Sequence, residues 1–181
     1  MTQVATNNPG VKLVVYKRIV IGDLSKFTAT SNITQSGGGA RDLRFSPASE
    51  FFPIFQRMFP MDDDGVLRGQ FFWNNHNPTD AEIHSPTNSR PNEVRIGRIH
   101  ECFPQDVIPS ECQDCILLLI LDNDQKVYPY FTSLYSLRHD GWHPAISEPI
   151  IDGLHAERSI KTTPMGYVDL ENRRNYTNGR F

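Results

Sequence analysis

Apolar residues recur along this chain in short runs, and most of the runs carry the period of a β-strand. Lys12 to Ile21 is rich in β-branched residues and predicts a strand, and Val66 to Trp73 predicts another. Ala81 to His84 is short and alternating. Glu93 to His100 alternates with one slip of phase, which predicts a strand bulged near Gly97. Cys115 to Leu121 is apolar throughout and predicts a strand covered on both faces. Asp122 to Gln125 has hairpin-turn chemistry and leads into a strand from Lys126 to Leu134, where Pro129 implies an edge or a bulge. Leu43 to Phe45 is read as a short strand. Pro47 to Phe59 predicts the one clear helix, with Ser46 or Ser49 as cap, Pro53 near the first turn, and Phe52, Phe55 and Phe59 on a shared face. Gly22 to Gly39 is too irregular for an element, and Trp142 to Leu154 predicts no more than a loose helical turn. The expected fold is mainly β with short helices (α+β), a barrel or sandwich with helices at its ends. Residues 1–11 are expected to be a flexible leader, 12–154 the folded domain, and 155–181 a polar tail or linker.

Composition narrows the class. A chain of 181 residues with 38% hydrophobic content can build one real core. No apolar run approaches the roughly 20 residues of a membrane span, and the first residues lack a basic-then-apolar signal. Three cysteines, an odd number, fit a reducing compartment, so a cytoplasmic location is expected.

The net charge of −3 argues against a general nucleic-acid coat, which works by neutralising phosphates. The charge is unevenly spread, however. Between Lys12 and Arg44 stand six bases against Asp23 and Asp42, and between Arg90 and Arg98 three Arg stand against Glu93. The acids collect elsewhere, as in Asp62–Asp64.

Two stretches, 31–44 and 85–98, mix Arg with Asn, Gln, Ser, Thr and a few acids. Arg suits guanine, Asn or Gln suits adenine, and Glu or Asp accepts from the cytosine amino group. The two stretches are therefore read as arms that grip duplex DNA, with Arg41, Arg90, Asn92, Glu93 and Arg95 toward base edges. Lys17, Lys26, Thr34, Ser36, Arg98 and the backbone of Gly37, Gly38 and Gly39 are read as phosphate contacts. Each has a plainer reading: the glycine run as a surface loop, and Glu93 between two Arg as a weak surface ion pair.

Other chemistry is thinner. His100 and Cys102 with Cys112 and Cys115 contain one Cys-x-x-Cys and are the best zinc candidate, although Cys115 begins the buried run. The order and spacing required of a zinc deaminase are absent. Asp62, Asp63 and Asp64 have no lysine beside them, so a magnesium nuclease centre finds no support, and no catalytic residue or cofactor is assigned. The alternatives to DNA recognition are a zinc-stabilised protein-interaction module and a small metal-dependent nuclease.

The arms also bear on family. Lys17-Arg18-Ile19, a Thr/Ser-rich loop closing in Gly38-Gly39, a short strand reaching Pro47, a helix ending in Phe59-Pro60, and Asn92-Glu93-Val94-Arg95-Ile96 follow one another in order. This pattern over residues 12–154 resembles the N-terminal effector-binding domain of EcoRII-type restriction endonucleases. The resemblance implies a DNA-binding pseudobarrel, shared with plant transcription-factor domains, whose two arms enter the major groove. It implies base and backbone contacts at Lys17, Arg18, Gly38, Gly39, Asn92, Glu93 and Arg95. The chain departs from the family at Ala40-Arg41, where His or Asn followed by Gln is common, and at Val94, where a basic residue is common. Duplex DNA is the implied partner, the isolated domain is expected to be a monomer, and cutting is expected from a nuclease domain elsewhere in a longer chain.

Overall fold

A computed structural model describes residues 10–28 and 41–179. The protein is mainly β with short helices, as the patterning implied: one nine-stranded sheet curled into a half-barrel. In chain order the elements are β1 (Val11–Arg18), α1 (Ile21–Phe27), β2 (Leu43–Phe45), α2 (Ala48–Met58), β3 (Leu67–Phe71), β4 (Thr79–His84), β5 (Val94–Ile96) and α3 (Ile99–Cys102). A 3-10 turn at Gln105–Val107 follows, then β6 (Cys115–Asp122), β7 (Val127–Ser133), α4 (Leu134–His139), α5 (Pro144–His155), β8 (Met165–Asp169) and β9 (Arg174–Thr177). The strands lie in the order β2-β5-β4-β3-β7-β6-β1-β8-β9. Among the described residues no helix is long and apolar enough to cross a membrane.

The apolar run of β6 is buried at all eight positions because both faces of that strand are covered. On the inner side Leu117, Leu119 and Leu121 join Leu13 and Val15 of β1 and the aromatic residues of α2. On the outer side Ile116, Leu118 and Ile120 pack with Val14 and Tyr16 against Leu137 of α4 and Ile146 and Ile150 of α5. Strand β1 has one extra residue between Val11 and Leu13 relative to β6, a bulge that returns Val11 to the outer cluster beside Val14.

Helix α2 is the inner lid. It buries Phe51, Phe55 and Met58, spaced i, i+4, i+7, with Ala48 and Ile54 beside them. The expected face of Phe52, Phe55 and Phe59 is thus turned by about one residue; Phe52 is only half-buried, and Phe59 is buried as the residue after the helix. No side chain caps its first turn, so neither Ser46 nor Ser49 has the expected role. The Phe45 ring meets Phe51 and Phe55 at 5.4 and 5.1 Å, which ties the short β2 to the lid.

Four further expectations change. The expected tail from 155 is folded over its described residues, 155–179: β8 pairs with β1 along its length and is buried at all five positions, and β9 pairs with β8. Arg57 of α2 pairs with Asp169 and Glu171, and Arg174 of β9 with Glu50, so the lid is bolted to this C-terminal hairpin by charge as well as by rings. The segment 21–27 is helical, with Asp23 and Phe27 buried, and Trp142–Leu154 belongs mostly to a full helix capped by His143, whose Nδ1 accepts from the Ala145 N–H. The alternating segment at 93–100 is a three-residue strand followed by a helical turn.

Pro129 stands where its missing N–H does no harm. Strand β7 pairs with β6 throughout, but β3 joins its other side only at Phe71 opposite Val127. The Val127 carbonyl points toward β3, where it accepts from the Phe72 N–H, and Pro129, two residues on, faces the same open side.

Candidate nucleic-acid interface

The half of the sheet formed by β2, β5 and β4 has apolar side chains on one face only. Leu43 and Phe45, Val94 and Ile96, and Ala81 and Ile83 point to the core and are buried. Period-two alternation sends Arg44, Arg95 and His84 to the other face. Register then aligns them: Arg44 is opposite Arg95, and Arg95 is opposite His84. The result is a transverse row of two guanidinium groups and an imidazole on adjacent strands, each about 4.7–4.9 Å from the next strand. Gly97 belongs to this row because a Cβ there would overlap the His84 ring.

The loop leading into β5 is folded tightly. Thr87 and Arg90 exchange backbone hydrogen bonds at 3.2 and 2.9 Å, closing the tip. Glu93 sits between two arginines, its Oε1 3.6 Å from Arg90 Nε and 3.8 Å from Arg44 Nε. Both contacts are ion pairs too long for hydrogen bonds. Arg95 is held differently: its Nη1 donates to Asp42 at 3.0 Å, and both side chains are largely buried.

Buried polar atoms with no hydrogen bond among the described residues concentrate here: Arg90 Nη1, Glu93 Oε1, Arg95 Nε and His100 Nδ1. Folded proteins satisfy most such atoms, so these four mark a place where the described residues leave hydrogen-bonding capacity unused.

The remaining expected residues scatter. Arg41 joins elements: its carbonyl accepts from Ile99 N–H at 3.0 Å, and its guanidinium donates to the Thr28 carbonyl. Asn92 is exposed, and its carbonyl accepts from the Ala48 N–H at the start of α2. Arg98 is exposed at a left-handed φ of 47° and pairs with Glu82 and Glu101. Lys26 is half-buried and bonded to Asp23. Thr34, Ser36 and Gly37–Gly39 lie outside the described residues.

Lys17 is a correction. It is only 4% exposed, paired with Asp23 at 3.3 Å and set over the Phe45 ring, so it cannot reach a phosphate from there. Burial lowers its pKa, against the pull of Asp23. The zinc candidate is a second correction, because no three potential ligands gather among the described residues. Cys102 donates its thiol to the Gly97 and Arg98 carbonyls. Burial pushes its pKa up to about 12 and that of Cys115 to about 11.

Arg44 and His84 were missed as site residues. Alternation from Leu43 to Phe45 points Arg44 outward, which was legible, whereas His84 enters only through the pairing of β4 with β5.

Searches of family models, curated proteins and solved structures find no match for this chain.

Proposed function

We propose that this protein is a sequence-specific recognition domain for double-stranded DNA, of the effector-binding kind found in EcoRII-type restriction endonucleases. The observation that carries the reading is the outward row Arg44, Arg95 and His84 beside the unfinished hydrogen bonds of Arg90 and Glu93. A guanidinium fork on a rigid strand is suited to the O6 and N7 of guanine, and a tied side chain loses little freedom on binding. In this reading Arg44 and Arg90 are the base readers, and Glu93 sets their angle. Arg95 is fixed by Asp42 and supports the row from below. Arg98 and the segment 31–40 supply phosphate contacts, which position the domain without specifying sequence. The nuclease step belongs to another domain of a longer chain.

Selection of bound oligonucleotides from a random duplex pool tests this. A short motif containing G·C pairs is expected, with binding that weakens as salt rises. A pool that shows no enrichment at physiological salt overturns the proposal.

A further inference from the structure

The cleft where β3 and β7 part lies away from the arms, and its walls back onto both core clusters, Trp73 and Phe131 onto the inner one and Tyr128 and Tyr130 onto the outer one. It has a volume of about 440 Å³, within the roughly 300–1,000 Å³ of small-molecule sites. Five half-buried or intermediate aromatic residues line it: Phe72, Trp73, Tyr128, Tyr130 and Phe131.

The walls are built rather than loose. The Trp73 indole N–H donates to Thr79 Oγ1 at 2.9 Å, and that hydroxyl donates to the Cys102 carbonyl at 2.5 Å. The Trp73 ring also meets Phe103 edge-on at 5.1 Å. Its N–H is thus spent on the fold, and what remains for a ligand is the ring. On the opposite side His76 Nε2 lies 3.2 Å from Asp106, which pins the loop of Asn74, Asn75 and His76 to the turn at Gln105–Val107.

This combination selects a ligand class. Aromatic walls take a flat ring, while the side-chain amides of Asn74 and Asn75 and the Asp106 carboxylate offer donors and acceptors to its edge. Lys126, which is exposed and not itself part of the lining, holds its Nζ 5.5 Å from the centre of the ring of Phe72, which is. A planar ring with a hydrogen-bonding edge and an attached anion is a nucleotide. We propose that the β3–β7 cleft seats one unpaired nucleotide, its base against the aromatic wall and its phosphate near Lys126. The chemistry is the same for a free nucleotide and for a base left unpaired in a DNA strand. The site stands apart from the Arg44 row, so it does not depend on the duplex reading.

The protein reports on the site itself, since Trp73 lines the cleft, whereas Trp142, the other tryptophan, is buried behind its wall with its ring 5.7 Å from that of Tyr130 and is removed in the variant below. The full chain and its Trp142→Phe variant are titrated with deoxynucleoside monophosphates and with the corresponding nucleosides while tryptophan emission is followed. Saturable quenching of Trp73 is expected. Tyr128→Leu weakens it about tenfold, the order of one lost base–aromatic stack. Lys126→Glu, at an exposed position, weakens the monophosphate but not the nucleoside. A duplex with one unpaired nucleotide, compared with the fully paired duplex, tells the sources apart: extra quenching assigns the seat to DNA, and its absence to the free nucleotide. Quenching that never saturates overturns the proposal, as does saturable quenching that both variants leave unchanged. Binding of the paired duplex is followed by anisotropy on the same samples. Arg44→Ala weakens that signal without altering Trp73, so failure of the duplex reading and failure of this one are separate results.

Discussion

Lys17 and Arg44 come from the same basic stretch of sequence and end in opposite environments. Lys17 lies on β1, between β6 and β8, in the half of the sheet covered on both faces. Arg44 lies on β2, at the end of the half whose outer face carries no apolar cluster among the described residues. The covered half turns a cation into a structural group: Lys17 is buried and neutralised by Asp23, which Lys26 also contacts. The bare half leaves Arg44 nearly half exposed beside a shared carboxylate. A basic residue in an arm sequence is therefore no guide to contact until both faces of its strand are known. What marks the proposed interface is a strand that is apolar on one side only.

The largest test of this contrast concerns Arg95, which belongs to the bare half but borrows the chemistry of the covered one. Arg95→Ala leaves the Asp42 carboxylate buried without its partner, and stability falls by about 3–5 kcal/mol in chemical denaturation. A loss below 1 kcal/mol would mean that Asp42 is solvated and that Arg95 is as free as Arg44.

Arg44→Ala comes next. Discrimination between the selected duplex and a scrambled one falls by about 1–3 kcal/mol, while stability stays within about 0.5 kcal/mol of the parent. Titration of both duplexes by fluorescence anisotropy measures the first, and urea unfolding the second. Equal weakening for both duplexes would make Arg44 a phosphate contact and shift base reading to Arg90.

For Arg98, exposed and paired only at the surface, the expected change lies in salt dependence. Arg98→Ala lowers the slope of log K against log salt by about 1 and leaves sequence preference alone. An unchanged slope places Arg98 outside the contact surface.

The smallest effect is a pH term at the back of the site. Burial first, then the charge of Arg41, lowers the His100 pKa below its ordinary 6.5, while Glu101 pulls the other way. The folded protein thus binds fewer protons at this position than the unfolded chain, so stability rises with pH across the interval between the two values. The contribution is complete above about 6.5 and is lost as pH falls through the lower folded value. His100→Gln should flatten the dependence of the urea midpoint over that interval. An undiminished slope would assign the titration to another group.

Much of the fold was legible in the sequence, but less of the candidate site. Period-two patterning and β-branched content located β1, β2, β3, β4, β6 and β7 and one long helix, because these signals are local to each segment. The continuous apolar run at Cys115–Leu121 even stated that both its faces are covered. Local patterning misread 165–177, whose Gly166, Asp169, Asn172 and Arg173 look like a polar tail. Only pairing with β1, and contact of Tyr167 and Asp169 with α2, makes that segment part of the core. The same holds for the site. The sequence by itself determined that Glu93 and Arg95 alternate with apolar residues at a loop-to-strand junction, with Arg90 in the loop before them. The tertiary structure alone decided that Arg95 is tied to Asp42, that Arg44 and His84 flank it, and that Lys17 is buried. Alternation fixes which way a side chain points relative to its own strand; register and coverage depend on strands far apart in sequence, and those contacts are settled only when the sheet closes on its core.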